Sequence, residues 1–214
     1  MNEFGYIDPI ASVTSVLCKH MYEGTRVTAV VCGLAQGGTS VVAAVVDALG
    51  FSSNDVGHLY NFETEGRPYP GDEAAEWRRK VTGLNSRQTP YSIKDPGIFR
   101  FDPEWVHASI DNPYYLVVAK DVMSTTQRRF QKSPVTYNML SEVLQHHEEM
   151  WRWVNELPPS PLLGISYQRA VANPAAFVDE VSSFLGVVPT PEQRVKAINR
   201  VSPTGGYLMS ESNE

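Results

Sequence analysis

A glycine-rich loop between an apolar strand and a helix constrains the fold of this chain more than any other feature. The loop runs from Gly33 to Ser40 with the spacing G-x-x-x-x-G-x-[ST]. The apolar run Val27–Cys32 precedes it, and the helix-forming run Val41–Leu49 follows it and stops at Gly50, a residue suited to the position after a helix. The N–H groups at such a helix start bind anions, and the helix dipole adds roughly half a positive charge there. The pattern therefore predicts a phosphate-binding strand, loop and helix.

The loop lacks the lysine that a nucleoside triphosphatase uses to hold the outer phosphates of its substrate. Thr39 stands at that position. A simple glycine turn with Thr39 or Ser40 capping the helix is the alternative interpretation. We predict an anion cradle instead, because strand and helix flank the loop as that function requires. Its candidate ligand-binding residues are Gln36, Gly37, Gly38, Thr39 and Ser40.

Size and composition indicate one globular domain spanning residues 1–214. A net charge of −6 without a basic run argues against a nucleic-acid partner. The two cysteines, Cys18 and Cys32, do not form a disulfide framework, and we expect both to be reduced. No signal-peptide pattern and no apolar run near 18 residues is found. We therefore expect a cytoplasmic protein that does not insert into a membrane.

Strands and helices alternate along the chain, which favours an α/β fold with a central parallel sheet of four or five strands and helices on both faces. Ligands of such sheets bind at the carboxyl ends of the strands. We predict strands at 27–32, 91–94, 114–119 and 162–167, and helices at 9–21, 41–49, 72–82, 136–155, 174–185 and 190–199, with a further helix ending near Phe130.

Two segments are expected to lie outside this regular framework. The polar segment 51–91 contains several glycines and prolines and follows the phosphate-binding unit directly, which predicts an acceptor-binding insertion. The tail 205–214 is expected to be loose.

Further motifs follow the loop in a fixed order, and together with it they resemble the sulfotransferase family. Behind the loop stands Ala48-Leu49-Gly50, and later come Lys94-Asp95-Pro96, Lys120-Asp121-Val122, Ser166-Tyr167-Gln168 and Phe184-Leu185-Gly186. The resemblance covers about residues 27–187. It implies a P-loop-like α/β fold and transfer of a sulfuryl group from 3′-phosphoadenosine 5′-phosphosulfate (PAPS) to a hydroxyl or amine of a small molecule or glycan, without a metal.

The resemblance also implies roles for individual residues. The glycine loop would hold the 5′-phosphosulfate, and Lys94 would steady the charge on the leaving oxygen. The 3′-phosphate would lie between Lys120 and Arg128, with Ser124 as a further hydroxyl donor. This chain departs from the family pattern at Gln36 and Lys120, where arginines are usual, so we expect a divergent member.

The acceptor needs a general base within hydrogen-bond reach. The segment after the first helix is where the resemblance implies that base, and Glu63 is the first candidate there, with His58 second. Lys94 has an alternative interpretation as the partner of Asp95, or of another nearby carboxylate, in an ion pair. The run His146–Glu149 is not expected to bind a metal, because adjacent helical residues point about 100° apart and no third ligand has suitable spacing. We expect His147 to pack in the core.

Two other functional classes stay open at this stage. A nucleotide or nucleoside kinase would share the fold, but it needs a loop cation and a magnesium-binding carboxylate, for which Asp95 or Asp121 are the candidates. A non-catalytic relative that has lost donor binding is the second alternative, and Gln36 and Lys120 motivate it. Binding of the product nucleotide distinguishes these classes.

Overall fold

The structure is a computed structural model that describes residues 14–18, 26–52, 71–87, 89–130 and 133–201. Within these ranges one sheet contains the strands β1 (Thr14–Cys18), β2 (Thr28–Gly33), β3 (Tyr91–Lys94), β4 (Pro113–Ala119) and β5 (Leu162–Ser166). The helices are α1 (Thr39–Ala48), α2 (Gly71–Asn85), α3 (Pro103–Ser109), α4 (Val122–Arg129), α5 (Tyr137–Glu156), α6 (Tyr167–Ala172), α7 (Pro174–Phe184) and α8 (Pro191–Arg200), and a 3-10 turn covers Ile98–Arg100.

The sheet order is β1-β5-β4-β2-β3. The four strands β2 to β5 pair in parallel, which confirms the predicted parallel sheet. Strand β2 lies between β3 and β4. The chain forms β3 on one side of β2 and then crosses to form β4 on the other side. Such a switch in strand order opens a crevice at the carboxyl ends of the strands.

The β1 strand corrects the prediction of an N-terminal helix over 9–21. Residues Thr14–Cys18 pair antiparallel with β5, with an irregularity between Val16 and Cys18. This segment is rich in residues that also favour strands, and the free edge of β5 offers a row of backbone hydrogen bonds. Sheet pairing therefore overrides the apolar spacing that suggested a helix.

Helices cover both faces of the sheet, as predicted. On one face, Val31, Val118 and Ile165 pack in a core with residues of α1, α7 and α8. On the other face, Val30 and Val117 pack with residues of α2, α3 and α5. The parallel strands are buried on both sides because both faces carry helices. No helix in the described ranges has the length and apolar content that a membrane span requires.

Helix α5 was predicted within one residue at each end. Thr136 caps the helix by accepting a hydrogen bond from the Met139 N–H at 3.4 Å. Val143, Met150 and Trp153 are the buried residues, whereas the apolar Leu144 and Trp151 on the same helix are 54% and 39% exposed. Two apolar stripes run side by side along this helix, and periodicity alone does not select between them.

Candidate anion-binding site

The parallel sheet brings the predicted site residues from separate parts of the chain to one edge. The glycine loop follows β2, Lys94 ends β3, Lys120 follows β4 and Tyr167 follows β5. Val31 lies opposite Lys94 in the β2–β3 pair, and Gly33 lies opposite Val118 in the β2–β4 pair. Four neighbouring strands therefore place their following residues along one crevice.

The glycine loop turns tightly and leads directly into α1. The N–H of Gly37 donates to the carbonyl oxygen of Leu34 at 2.9 Å. Gln36 adopts a left-handed φ of 64° and Gly38 a φ of 97°. The first N–H groups of a helix have no acceptor within the helix, so those of Thr39 and Ser40 are free of intrahelical bonds and form the cationic end of the α1 dipole. This geometry suits an anion.

The side chains of the loop differ in how deeply they are buried. Thr39 is 4% exposed, and its methyl carbon Cγ2 lies 3.1 Å from where a Cβ on Gly33 would stand. Gln36 is exposed and Ser40 half-buried. The Thr39 methyl group thus helps to pack the loop against the end of β2, while its backbone N–H belongs to the helix start.

Lys94 reaches across the sheet edge to the loop. Its ammonium group donates a hydrogen bond to the Ser40 hydroxyl oxygen at 3.0 Å. Partial burial lowers the pKa of Lys94, and nearby Asp95 opposes that shift. No ion pair within 4 Å joins Lys94 to Asp95 among the described residues. The lysine therefore places a cation beside the loop, which lacks a lysine of its own.

Asp95 is a buried carboxylate directly behind the site. The side chain is 1% exposed, and its Oδ1 accepts a hydrogen bond from the Gly97 N–H at 2.7 Å. Burial raises the pKa of Asp95 to about 6. The nearby Trp77 side chain acts in the opposite direction and lowers the pKa of Asp95. The indole N–H of Trp77 and the Oδ2 atom of Asp95 are both buried, and neither has a partner in hydrogen-bond geometry among the described residues. Asp95 thus holds the turn after β3.

Tyr167 connects the loop to Lys120, and this residue was not predicted as part of the site. A Cβ on Gly38 would lie 2.1 Å from the Tyr167 ring, so the ring packs directly on the glycine. The Lys120 ammonium lies 5.1 Å from the centroid of the same ring, within cation–π range. Tyr167 directly follows β5, and β5 pairs with β4 in the same parallel sheet as the loop strand β2. This position at the carboxyl end of a strand is the signal that could have identified Tyr167.

A second cation stands near Lys120. Burial lowers the pKa of Lys120, Asp121 raises it, and the positive charge of Arg128 lowers it further. The effect of Arg128, in the last turn of α4, indicates that its positive charge lies near Lys120, which precedes that helix. Arg128 is exposed, so the pair forms a positive patch open to solvent.

Asp121 fixes the start of α4 beside this patch. Its Oδ1 accepts a hydrogen bond from the Ser124 N–H at 2.7 Å, and its Oδ2 accepts one from the Gln168 amide. The first bond caps α4, and the second connects Asp121, two residues after β4, to Gln168, two residues after β5. The predicted Ser124 is therefore held by its backbone, and its side chain is half-buried.

Several other basic or histidine residues have structural partners. Arg129 forms an ion pair with Glu142 at 2.7 Å and contacts the His146 ring nitrogen at 3.0 Å, which ties α4 to α5. His147 is half-buried as a residue, but its Nε2 is buried and has no hydrogen-bond partner among the described residues, so the predicted core packing holds for part of the ring. Within the described residues, no three His, Cys, Asp or Glu side chains come together in a way that could hold a metal ion. The candidate bases Glu63 and His58 lie outside the described residues.

The parallel sheet and the glycine loop between β2 and α1 define an α/β fold of the P-loop-like class, and solved structures of sulfotransferases share this fold. Mouse sulfotransferase SULT7A1 complexed with PAP matches with a TM-score of 0.54 and 13% identity over 86% of this chain and 67% of the mouse chain. The sulfotransferase domain of the curacin biosynthetic pathway matches with a TM-score of 0.52 and 16% identity, over 81% of this chain and 77% of that domain.

A third similar structure is sulfotransferase STF1 from Mycobacterium tuberculosis H37Rv. It matches with a TM-score of 0.50 and 10% identity, over 87% of this chain and 78% of the mycobacterial chain. No protein-family model matches the sequence, and no curated protein is significantly similar to it. The comparisons therefore confirm the fold that the ordered motifs implied.

The contact between Gly38 and Tyr167 predicts that Gly38→Ala destabilises the protein. A left-handed φ costs a non-glycine residue about 1–2 kcal/mol, and the new methyl group would overlap the ring. Gly83→Ala in α2 is the matched control, since nothing lies within 4 Å of a Cβ there and alanine favours a helix by about 1 kcal/mol. Urea unfolding should show a loss for Gly38→Ala and a small gain for Gly83→Ala. Equal stability of the Gly38 variant and wild type would contradict this packing.

The raised pKa of Asp95 predicts a pH-dependent penalty on stability. Between its ordinary value of 3.8 and about 6, the folded state binds the proton more tightly than the unfolded state. The contribution of Asp95 to the free energy of unfolding therefore falls as pH rises through this window, by roughly 3 kcal/mol in all. Urea unfolding at several pH values should show that Asp95→Asn removes this slope, whereas Glu104→Gln, at an exposed carboxylate of α3, retains it. The same slope in the wild type and Asp95→Asn would contradict the prediction.

Proposed function

We propose that this protein is a sulfotransferase that uses PAPS as its sulfuryl donor. The observation that carries the proposal is the meeting of three anion-binding groups from three neighbouring strands. These are the α1 N-terminus after β2, Lys94 at the end of β3 and Lys120 after β4. The sulfotransferase fold supports the same assignment. A hydroxyl or amine of a small molecule or glycan as acceptor, and a cytoplasmic location, are parts of this proposal.

The donor has two anionic ends, and the site offers a cationic region for each. The loop N–H groups and Ser40 would bind the 5′-phosphosulfate, with the exposed amide of Gln36 as a further donor. Lys120 and Arg128 would bind the 3′-phosphate, with Ser124 at the start of the same helix. Lysine makes a point contact where arginine would make a bidentate one. We therefore expect Lys120 to bind the 3′-phosphate less tightly than an arginine would.

Transfer would proceed by attack of the acceptor oxygen or nitrogen on the sulfur atom. The new bond to sulfur forms as the bond between sulfur and the bridging oxygen of the 5′-phosphate breaks, and 3′-phosphoadenosine 5′-phosphate (PAP) leaves. Glu63, or His58 as second candidate, would take the acceptor proton. Lys94 would leave Ser40 and donate to the bridging oxygen, where negative charge develops.

The charge distribution favours sulfuryl over phosphoryl transfer. A sulfuryl group carries less negative charge than the terminal phosphoryl group of a triphosphate, so one lysine and the loop amides can balance it without a metal. Thr39 stands where a triphosphatase has its loop lysine, and its methyl group packs towards Gly33. A cation reaches the loop from β3 instead, because the Lys94 ammonium contacts the Ser40 hydroxyl at 3.0 Å.

Calorimetry with PAP tests donor binding directly. We expect micromolar binding to the wild type and a loss of about tenfold to a hundredfold in Lys120→Ala, the range for a hydrogen bond to a charged group. Lys196→Ala, at an exposed lysine of α8, is the control and should bind like the wild type. No binding of PAP to the wild type at millimolar ligand would refute the PAPS proposal and favour a relative without a donor site.

The proposed role of Lys94 predicts a separation of chemistry from binding. Lys94→Met should lower kcat by about a hundredfold, a typical loss when one group that stabilises transition-state charge is removed. Affinity for PAPS in the ground state should change much less, because its bridging oxygen carries little negative charge until the bond to sulfur breaks. Lys94→Arg keeps the cation and should retain part of the activity. Transfer from radiolabelled PAPS measures kcat, and a Met variant with unchanged kcat would exclude this role.

A further inference from the structure

We propose that Gln168 is a positioning residue for the 3′-phosphate of the donor, and that it acts through Asp121 on Lys120. The side-chain amide of Gln168 donates a hydrogen bond to Oδ2 of Asp121, and Asp121 directly follows Lys120. Gln168 is assigned no contact with the donor itself. The inference rests on the proposed function, because it concerns the nucleotide that this function requires.

The register of the sheet brings Gln168 to Asp121. The last residues of β4 and β5 lie opposite each other in their parallel pair. Lys120 and Asp121 then follow β4, while Tyr167 and Gln168 follow β5. The Lys120 ammonium lies 5.1 Å from the centroid of the Tyr167 ring, and the Gln168 amide reaches the Asp121 carboxylate. Two consecutive residues after one strand therefore contact two consecutive residues after its neighbour, in the same order.

Asp121 joins the first turn of α4 to the segment after β5. Its Oδ1 accepts a hydrogen bond from the Ser124 N–H at 2.7 Å, and its carbonyl oxygen accepts one from the Thr125 hydroxyl at 2.9 Å. Both donors belong to α4, whereas Gln168, the donor to Oδ2, belongs to α6. Hydrogen bonds from Ser124 and Gln168 lower the pKa of Asp121, so at neutral pH the carboxylate is ionised and accepts both bonds. The Gln168 bond therefore fixes the start of α4 relative to β5.

The opposite end of α4 has a separate attachment. Arg129 forms an ion pair with Glu142 of α5 at 2.7 Å, which holds the last turn of α4, where Arg128 lies. That ion pair is roughly 10 Å along the helix from the first turn. Lys120 precedes the first turn, so its placement depends on the bond at that end.

The lysine makes this dependence stronger than an arginine would. A lysine ammonium is a point charge on a flexible stem, whereas an arginine presents a planar fork that is already organised for a phosphate. A shift of Asp121 would carry the Lys120 backbone with it, and the ammonium would lose its place beside the Tyr167 ring. An anchor on Asp121 therefore compensates in part for the lysine.

Calorimetry with two nucleotides isolates the effect on the 3′-phosphate, because PAP and adenosine 5′-phosphate differ by that group alone. Gln168→Ala should raise the dissociation constant for PAP by about threefold to tenfold, the range for one lost hydrogen bond. The dissociation constant for adenosine 5′-phosphate should stay within about twofold of the wild type. Because Gln168 and Asp121 are both exposed, the variant should unfold at the wild-type temperature.

Gln145→Ala is the matched control for this measurement. The exposed Gln145 amide donates to the Glu149 carboxylate at 3.1 Å within α5, so the same kind of bond is lost away from the site. This control should bind both nucleotides like the wild type. A Gln168→Ala variant that loses affinity for both nucleotides equally, or for neither, would overturn the positioning role.

A double-mutant cycle distinguishes positioning of Lys120 from a general structural effect. In the Lys120→Ala background, Gln168→Ala should change the dissociation constant for PAP by less than about twofold, because the cation that it positions is gone. The full loss in that background would overturn the positioning role and leave the proposed function intact. A wild type that binds PAP no more tightly than adenosine 5′-phosphate would refute the 3′-phosphate site of the proposed function, and the positioning role with it.

Exchange of the two groups is the rescue control for the same cycle. Gln168→Glu should weaken PAP binding by about tenfold, because two carboxylates then face each other. Adding Asp121→Asn restores the net charge and reverses the bond, with the asparagine amide as donor to the introduced carboxylate. The double variant should bind PAP within about threefold of the wild type, since asparagine caps a helix about as well as aspartate. A double variant that binds no better than Gln168→Glu alone would contradict the proposal.

Discussion

The close approach of the Tyr167 ring to Gly38 is the contact on which the site depends. Only a residue without a Cβ lets the ring reach the loop, and Lys120 lies within cation–π distance of the same ring. The loop after β2 and the cation after β4 are thereby held together through a residue that follows β5. A larger residue at Gly38 would separate these elements, so the glycine serves the assembly of the site as well as the turn.

Much of the fold could be predicted because buried parallel strands are continuous apolar runs and because helix caps are local signals. The positions of β3 and α5 are examples. Other features depend on tertiary contacts that local patterns do not encode. The residues of β1 fit a helical spacing until the edge of β5 offers them a partner, and the buried face of α5 is selected by the elements that pack on it.

The candidate site, like the fold, could be predicted from local sequence patterns only in part. The loop glycines and the cations after the strands were predictable from their order along the chain, since parallel strands bring their carboxyl ends together. The contact of Lys94 with Ser40 and the packing of Tyr167 on Gly38 join residues far apart in sequence. Neither contact has a local pattern, so only the assembled sheet reveals which side chains meet.

The placement of the cations explains how a loop without lysine can still serve an anionic ligand. Lys94 enters from a neighbouring strand and rests on a loop hydroxyl, so it can shift towards a ligand without moving the loop backbone. Its partial burial lowers its pKa, and Asp95 opposes that change, which helps to keep the ammonium charged. Under the proposed function, Gln36 would need to supply only a hydrogen bond, because the positive charge would come from the strands that flank the loop. An exposed amide would then suffice at that position, since the adjacent strand provides the cation.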